Sequence, residues 1–207
     1  MNYSVDDLEY HERLGEWSGS ITVRCSQDLF NKTEMALQFY IKSTEKLAEA
    51  EYNTLNYIKG NFSDIYENIL KGLYEWYKSG YIPSEIFNES NANFIPVQFN
   101  YYEDIHKYIG TPYIELLHKC IKDEFVYFAI YFTNDCLLSI EHGLTALFYK
   151  SNMIDIDATD TEAEVDFLKY YEDNCTLWKK DFWLVKQKLG DNESLYDIEL
   201  IRKKWLT

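Results

Sequence analysis

The sequence predicts an α+β protein: a largely antiparallel sheet with a packed helical pair and a C-terminal helical segment. Three observations lead to this fold class. Apolar residues in the first forty positions alternate with a period of two, as in half-buried strands. The period then changes to that of amphipathic helices. A second group of strand-like runs follows Pro112, and strands, helices and again strands in that order favour helices packed on an antiparallel sheet.

The first two strands come from short runs near the N-terminus. GSITVRCS places Ile21, Val23 and Cys25 on one side of the chain, with polar residues between them. That alternation is typical of a half-buried strand. MALQFYIK (35–42) contains Phe39 and adjacent residues of the aromatic and β-branched types that strands favour. Both runs are therefore predicted as strands.

Two helices are predicted next, at Thr44–Lys59 and Ser63–Lys78. Ser63 is a suitable N-cap for the second helix, and Gly80 a suitable end. Gly60 with Asn61 is expected to separate the two helices, because glycine commonly ends a helix. The second helix has one apolar stripe, which consists of Ile65, Ile69, Leu73, Trp76 and Tyr77.

Residues Tyr81–Asn100 show neither the apolar period of a strand nor that of a helix, and they contain two prolines. A polar loop is therefore expected there. A short helix is predicted at Tyr101–Ile109. The later runs YIELLHK, EFVYFAIYFT, GLTALFYK and NMIDI are predicted as strands. Phe125–Phe132 is wholly apolar, which indicates a central strand covered on both faces.

Residues 1–160 are expected to form the α+β domain, and residues 161–207 a helical segment packed on or extending it. Thr161 and Glu164 match a capping box. A final short helix is predicted at Leu195–Trp205. The apolar stripe of the segment is expected in the core, with a homodimer interface as the alternative. The stripe comprises Val165, Leu168, Tyr171, Cys175, Trp178, Phe182, Val185 and Leu189.

The chain is strongly acidic, with 20 Lys and Arg against 35 Asp and Glu and a net charge of −15. A field of that sign repels phosphates and anionic lipids, so neither nucleic acid nor a membrane surface is expected as a partner. It would speed the approach of a basic protein. Solubility alone is the simpler explanation of the same charge.

A cytoplasmic location is expected. The N-terminus, MNYSVDD, has neither the basic nor the apolar region of a signal peptide. The longest wholly apolar run, FVYFAIYF, is far shorter than the ~20 residues of a membrane helix. The cysteines are scattered without a CxxC pair and are interpreted as reduced thiols. They are Cys25, Cys120, Cys136 and Cys175.

The possible metal ligands in this sequence do not have the spacing that metal sites require. His118 and Cys120 alternate along one strand, and His142 lies in a nearby connection, but dedicated zinc sites have tighter ligand pairs. Asp155–Asp166 has the oxygen spacing of a calcium loop, yet Asp160 occupies the position that requires glycine. Neither a metal nor another cofactor is expected.

No catalytic residue is predicted. The chain has no GxSxG, HExxH or glycine-rich phosphate loop. Cys136 and His142 could form a thiolate pair, but no third group or oxyanion hole accompanies them in sequence. A non-enzymatic role is therefore expected.

The tripeptide Glu141-His142-Gly143 stands between two strand-like runs. Glycine permits a positive φ, so Glu141 and His142 are expected to shape a turn. The alternative is a ligand-binding or enzymatic pocket formed by Asp135, Glu141 and His142. Histidine supports that alternative because its pKa lies near neutrality.

An aromatic strand YFAIYFTND, the turn EHGL and a strand TALFYKSNMIDI resemble the core of a large group of poorly characterised small bacterial α+β proteins. The resemblance spans about Leu8–Asp157 and includes WSGSITVRC, MALQFYI, LYEWY and YIELLHK in the same order. The group usually has Trp-Asp shortly before the Glu, whereas here Asn134-Asp135 lies further upstream. The resemblance implies no established activity, and some members look like immunity proteins encoded beside toxins.

The sequence therefore predicts a non-enzymatic binding protein, an immunity protein that neutralises a basic bacterial toxin domain. The acidic residues expected to contact that protein partner are Asp155, Asp157, Asp160, Glu162 and Glu164, with exposed tyrosines as anchors. The alternatives are the pocket at Glu141-His142-Gly143 and a structural homodimer.

The substitution His142→Ala tests the turn. If the His142 imidazole forms hydrogen bonds with the backbone of the turn, its loss leaves those backbone groups unpaired. The free energy of unfolding then falls by about 1–3 kcal/mol. Thermal denaturation measures this change. An unchanged melting temperature together with lost binding of a ligand or partner would contradict the structural role.

Overall fold

The computed structural model describes residues 6–78, 80, 82, 84–88, 93–132, 136–138 and 143–157. In this part of the chain a seven-stranded sheet carries one long helix on one face, and a two-stranded hairpin lies apart from the sheet. The predicted α+β class is confirmed.

The described elements follow this order. The strands are β1 (Asp6–His11), β2 (Glu16–Arg24), β3 (Glu34–Ile41), β4 (Glu85–Asn88), β5 (Asn93–Pro96), β6 (Pro112–Lys122), β7 (Phe125–Phe132), β8 (Leu144–Tyr149) and β9 (Asn152–Asp157). The helices are α1 (Gln27–Phe30), α2 (Glu49–Lys78) and a 3-10 helix (Tyr102–Tyr108).

The large sheet has the order β1-β2-β3-β6-β7-β8-β9. Neighbouring strands are antiparallel except β3 and β6, which are parallel through Phe39 opposite Ile114 and Tyr40 opposite Glu115. A parallel pair needs a long crossover. Here the crossover carries α2, the β4–β5 hairpin and the 3-10 helix.

Strand β7 lies at the centre of the core. Its residues Phe128 and Ile130 are fully buried on one face, and Tyr127 and Ala129 are equally buried on the other. A strand buried on both faces has a nearly continuous apolar sequence. The prediction of a central strand at Phe125–Phe132 is therefore confirmed.

The expected break between two helices at Gly60-Asn61 is wrong, because α2 is one helix of 30 residues. It begins at Glu49 rather than near Thr44. The buried stripe continues in phase across Gly60, from Ile58 to Phe62. Burying each such side chain contributes about 1.5–3 kcal/mol, which exceeds the ~1 kcal/mol that a helical glycine costs.

The polar loop expected at Tyr81–Asn100 is also wrong, since it contains the β4–β5 hairpin. Ile86 pairs with Ile95, and Pro96 stands at the end of β5, where a missing donor is tolerated. Strands of four residues are too short to show a clear period. The hairpin therefore had no visible sequence pattern.

The short helix expected at Tyr101–Ile109 is confirmed as the 3-10 helix. The Asp104 carboxylate accepts the backbone N–H groups of Asn100 and Tyr101, at 2.9 and 3.1 Å. These two bonds lower the pKa of Asp104 because they favour the charged carboxylate.

The predicted C-terminal helical segment, residues 161–207, lies outside the described residues.

Two glycines at exposed positions provide a test of the continuous helix. A Cβ atom added at Gly60 or at Gly80 meets no atom within 4 Å, but Gly80 has φ +77° and follows α2. Gly60→Ala should raise the free energy of unfolding by up to about 1 kcal/mol, because alanine is the better helix former.

Gly80→Ala is the matched control and should lower the free energy of unfolding by about 1–2 kcal/mol, because its φ is left-handed. Urea denaturation of the two variants measures both changes. A destabilising Gly60→Ala would contradict a continuous helix.

Candidate functional site

The candidate site lies on the face of the sheet opposite α2. Strand β3 buries Met35, Leu37, Phe39 and Ile41 in the core. Because successive side chains in a strand point to opposite faces, Tyr40 and its neighbours on alternate positions face the other side. The register places Tyr40 beside Glu115 of β6, and Tyr113 of β6 beside Tyr131 of β7.

These side chains line an open groove of about 640 Å³, which we name the tyrosine groove. Strands β2, β3, β6 and β7, the residue after β3 and the residue before β6 contribute to it. Its lining residues are Glu16, Gln38, Tyr40, Lys42, Thr111, Pro112, Tyr113, Glu115 and Tyr131.

Three tyrosine rings form one wall of the groove. The rings of Tyr113 and Tyr131 are stacked, with centroids 5.0 Å apart and planes 9° apart. The Tyr40 ring stands perpendicular to that of Tyr113, with a centroid distance of 5.5 Å. Both arrangements suit the quadrupoles of aromatic rings. The wall is therefore held in place by its own contacts.

Burial raises the pKa of the Tyr113 hydroxyl, and the nearby Glu115 and Tyr40 raise it further. A phenol is already neutral at physiological pH, and each of these effects disfavours its anion. Tyr113 therefore presents a neutral hydroxyl to the groove.

The groove carries charge of both signs. The Lys42 Nζ lies 3.5 Å from the Glu115 Oε1. The Lys42 side chain is 59% exposed, whereas that of Glu115 is 12% exposed. Water and salt reach the lysine end of this pair, whereas the carboxylate is largely shielded from them. Glu16 supplies a second carboxylate.

The ligand residues predicted from sequence, Asp135, Glu141 and His142, lie outside the described residues. Gly143 is described and has φ +68°, so its predicted positive φ is confirmed. Phe132 pairs with Leu144 and also with Pro112 at the groove. The chain between β7 and β8 therefore leaves and rejoins the sheet at the end where the groove lies.

The predicted partner-binding residues divide into two groups. Asp155 and Asp157 belong to β9, where they pair with Leu147 and Thr145 of β8. The others, Asp160, Glu162 and Glu164, lie outside the described residues.

His118, which the sequence offered as a metal ligand, contacts two carboxylates in the structure. Its Nδ1 lies 2.9 Å from Oε1 of the buried Glu51, and its Nε2 lies 3.8 Å from Oε2 of Glu45. The other oxygen of Glu51 accepts the N–H of Ala48, just before α2 begins. His118 and Glu51 thus tie the start of α2 to β6. In the described ranges no group of three or more metal-type ligands occurs.

A second histidine, His106, belongs to an aromatic cluster on the α2 side. Its Nδ1 lies 2.7 Å from the Tyr66 hydroxyl. Its ring stands edge-on to Phe30, with centroids 4.8 Å apart. Burial is the main cause that lowers the pKa of His106, while a hydrogen bond to the backbone of Leu29 opposes it. The ring is therefore neutral in the folded protein near pH 7.

Sequence reasoning did not single out the groove residues. Tyr40, Tyr113 and Tyr131 were visible as strand residues in a chain with 19 tyrosines. Their alternation with buried neighbours indicates the face of each strand. The pairing of β3 with β6 is what brings them together, and no local pattern specifies it.

The fold and the groove define an α+β protein with an aromatic, charged groove on the face of its sheet opposite α2. Residues 5–164 match the family described as "Domain of unknown function (DUF6985)", and the chain belongs to that family. No curated protein and no solved structure matches the chain. No helix among the described residues is long and apolar enough to cross a membrane.

The depressed pKa of His106 predicts a stability change with pH. The unfolded ring takes up a proton near pH 6.5 and the folded ring only at lower pH, so stability falls as the pH drops below about 6.5. His106→Asn cannot titrate and should show a smaller loss of melting temperature between pH 7 and 5. An equal loss in both proteins would contradict the prediction.

Proposed function

We propose that this protein is a non-enzymatic acidic binding protein, an immunity protein that binds and masks a basic bacterial toxin domain. The observation that carries the proposal is the net charge of −15. A charge of that size attracts a basic partner over a distance and raises the association rate. The resemblance to immunity-like proteins supports the same class.

The tyrosine groove supports a protein partner in a second way. Tyrosine is enriched among the residues that dominate binding energy at interfaces, because its ring is apolar and its hydroxyl can form a hydrogen bond. The groove has three tyrosines beside two carboxylates. We place the acidic stretch from Asp155 to Glu164 in the same interface, as the part that steers the partner.

We place the complex in the cytoplasm. Cys25 is a free, buried thiol, which suits a compartment that keeps thiols reduced. Burial is the main cause that raises the pKa of Cys25. A buried thiol with a raised pKa is unreactive, so it agrees with a structural role.

A second candidate function is small-ligand binding in a pocket that includes Asp135, Glu141 and His142. Two features of the groove favour it. The groove measures about 640 Å³, within the range of about 300–1,000 Å³ typical of ligand pockets. It also lies at the end of the sheet where the chain leaves β7 and enters β8.

The products of the reading frames that flank the gene are the test partners. We expect one to be a basic toxin that this chain neutralises on co-expression and binds in a defined complex. Its association rate should fall by about tenfold or more between 10 and 150 mM salt, because the Debye length shrinks from about 30 Å to about 8 Å. Stopped-flow mixing measures the rate.

Two double variants with the same loss of charge refine this test. Asp160→Asn with Glu162→Gln should slow association more than Glu12→Gln with Glu34→Gln, which changes exposed carboxylates elsewhere. An association rate that does not respond to salt, or flanking products that neither harm cells nor bind, would contradict the proposed function.

A further inference from the structure

We infer that the tyrosine groove is a receptor for an arginine side chain of the protein partner. This inference rests on the proposed function and names the chemistry of the contact. The groove combines the two features that a guanidinium group requires. It has aromatic rings against which a flat cation can lie, and it has carboxylates beside those rings.

The aromatic part of the receptor is rigid before any partner arrives. The stack of Tyr113 on Tyr131 and the perpendicular contact of Tyr40 with Tyr113 hold the three rings in place. A bound cation therefore has to order few side chains, which lowers the entropic cost of binding. Tyr40 is half-buried, so part of its ring remains accessible from the groove.

Glu115, one of the two groove carboxylates, already has partners within this chain. The Lys42 ammonium pairs with Glu115 at 3.5 Å, although most of the lysine side chain is exposed. The exposed lysine can bend aside and leave room for a guanidinium beside the rings and Glu16. Glu16 supplies the further negative charge that favours a second cation in the groove.

Arginine fits this site better than lysine. Its guanidinium is planar, stacks on aromatic rings and donates two parallel hydrogen bonds to one carboxylate. A lysine ammonium is a strongly hydrated point charge that offers neither a flat face nor a fork. The groove therefore selects for shape as well as for charge.

The test uses short blocked peptides and the whole protein. The probe is Gly-Gly-Arg-Gly-Gly with both ends blocked, and the controls carry citrulline or lysine in place of arginine. Amide chemical shifts measured by NMR should change saturably for groove residues such as Gln38 and Tyr40. Citrulline has the same shape without the charge and should give no saturable change. The lysine peptide should bind more weakly than the arginine peptide.

Variants assign the contact to the groove. Tyr40→Leu keeps an apolar side chain without the ring and should weaken the arginine peptide by about three- to fivefold. Glu16→Gln should weaken it by about two- to fivefold. Glu34→Gln is the matched control, since it removes the same charge from an exposed residue of β3 outside the groove. It should leave the affinity unchanged.

Several results would overturn the inference. These are equal binding of the citrulline peptide, equal binding of the lysine peptide, or an equal effect of Glu16→Gln and Glu34→Gln. Circular dichroism checks that Tyr40→Leu is folded, and Glu16→Gln provides an independent reading if it is not.

The two proposals can fail separately. If Tyr40→Leu and Glu16→Gln leave the affinity of a toxin complex unchanged, the groove is not the arginine receptor. The proposed function would then still stand. Arginine-specific binding at the groove without a basic partner would overturn the proposed function instead.

Discussion

The burial of one face of α2 against the sheet is the constraint on which the rest of the structure depends. The helix contacts β2, β6, β7 and β9, so it spans most of the width of the sheet. Its stripe must stay continuous to cover that width, and the helix therefore tolerates Gly60 in its interior. Alternate residues of β3 are buried in the core. The residues between them, such as Tyr40, therefore lie on the opposite face of the sheet.

Buried polar groups set the position of α2 along the sheet. Glu51 is fully buried and accepts the Ala48 N–H while it contacts the His118 ring of β6. One turn later the Thr54 hydroxyl accepts the N–H of Val126 in β7, at 2.9 Å. A buried polar group without a partner costs about 1–3 kcal/mol, so sliding the helix would break several such bonds together. The start of α2 is therefore held to β6 and β7.

Sequence reasoning predicted one backbone feature but did not predict the candidate site. A motif of adjacent residues, Glu141-His142-Gly143, was visible in the sequence, and the positive φ of Gly143 followed from the residue type. The tyrosine groove was not visible, because Tyr40, Tyr113 and Tyr131 come from three strands. Two of those strands, β3 and β6, are parallel and are separated in sequence by α2 and the β4–β5 hairpin. Local patterns carry no information about such a pairing.

The sequence by itself determined the α+β class, the location of most strands along the chain and the burial of β7 on both faces. These features follow from the alternation and runs of apolar residues, which depend on near neighbours. The tertiary structure decided that α2 is one helix, that Glu85–Asn88 and Asn93–Pro96 pair, and that three tyrosines meet in a groove. The physical reason is that burial and strand pairing join residues far apart in the chain, and their free energy outweighs local preferences such as that of Gly60.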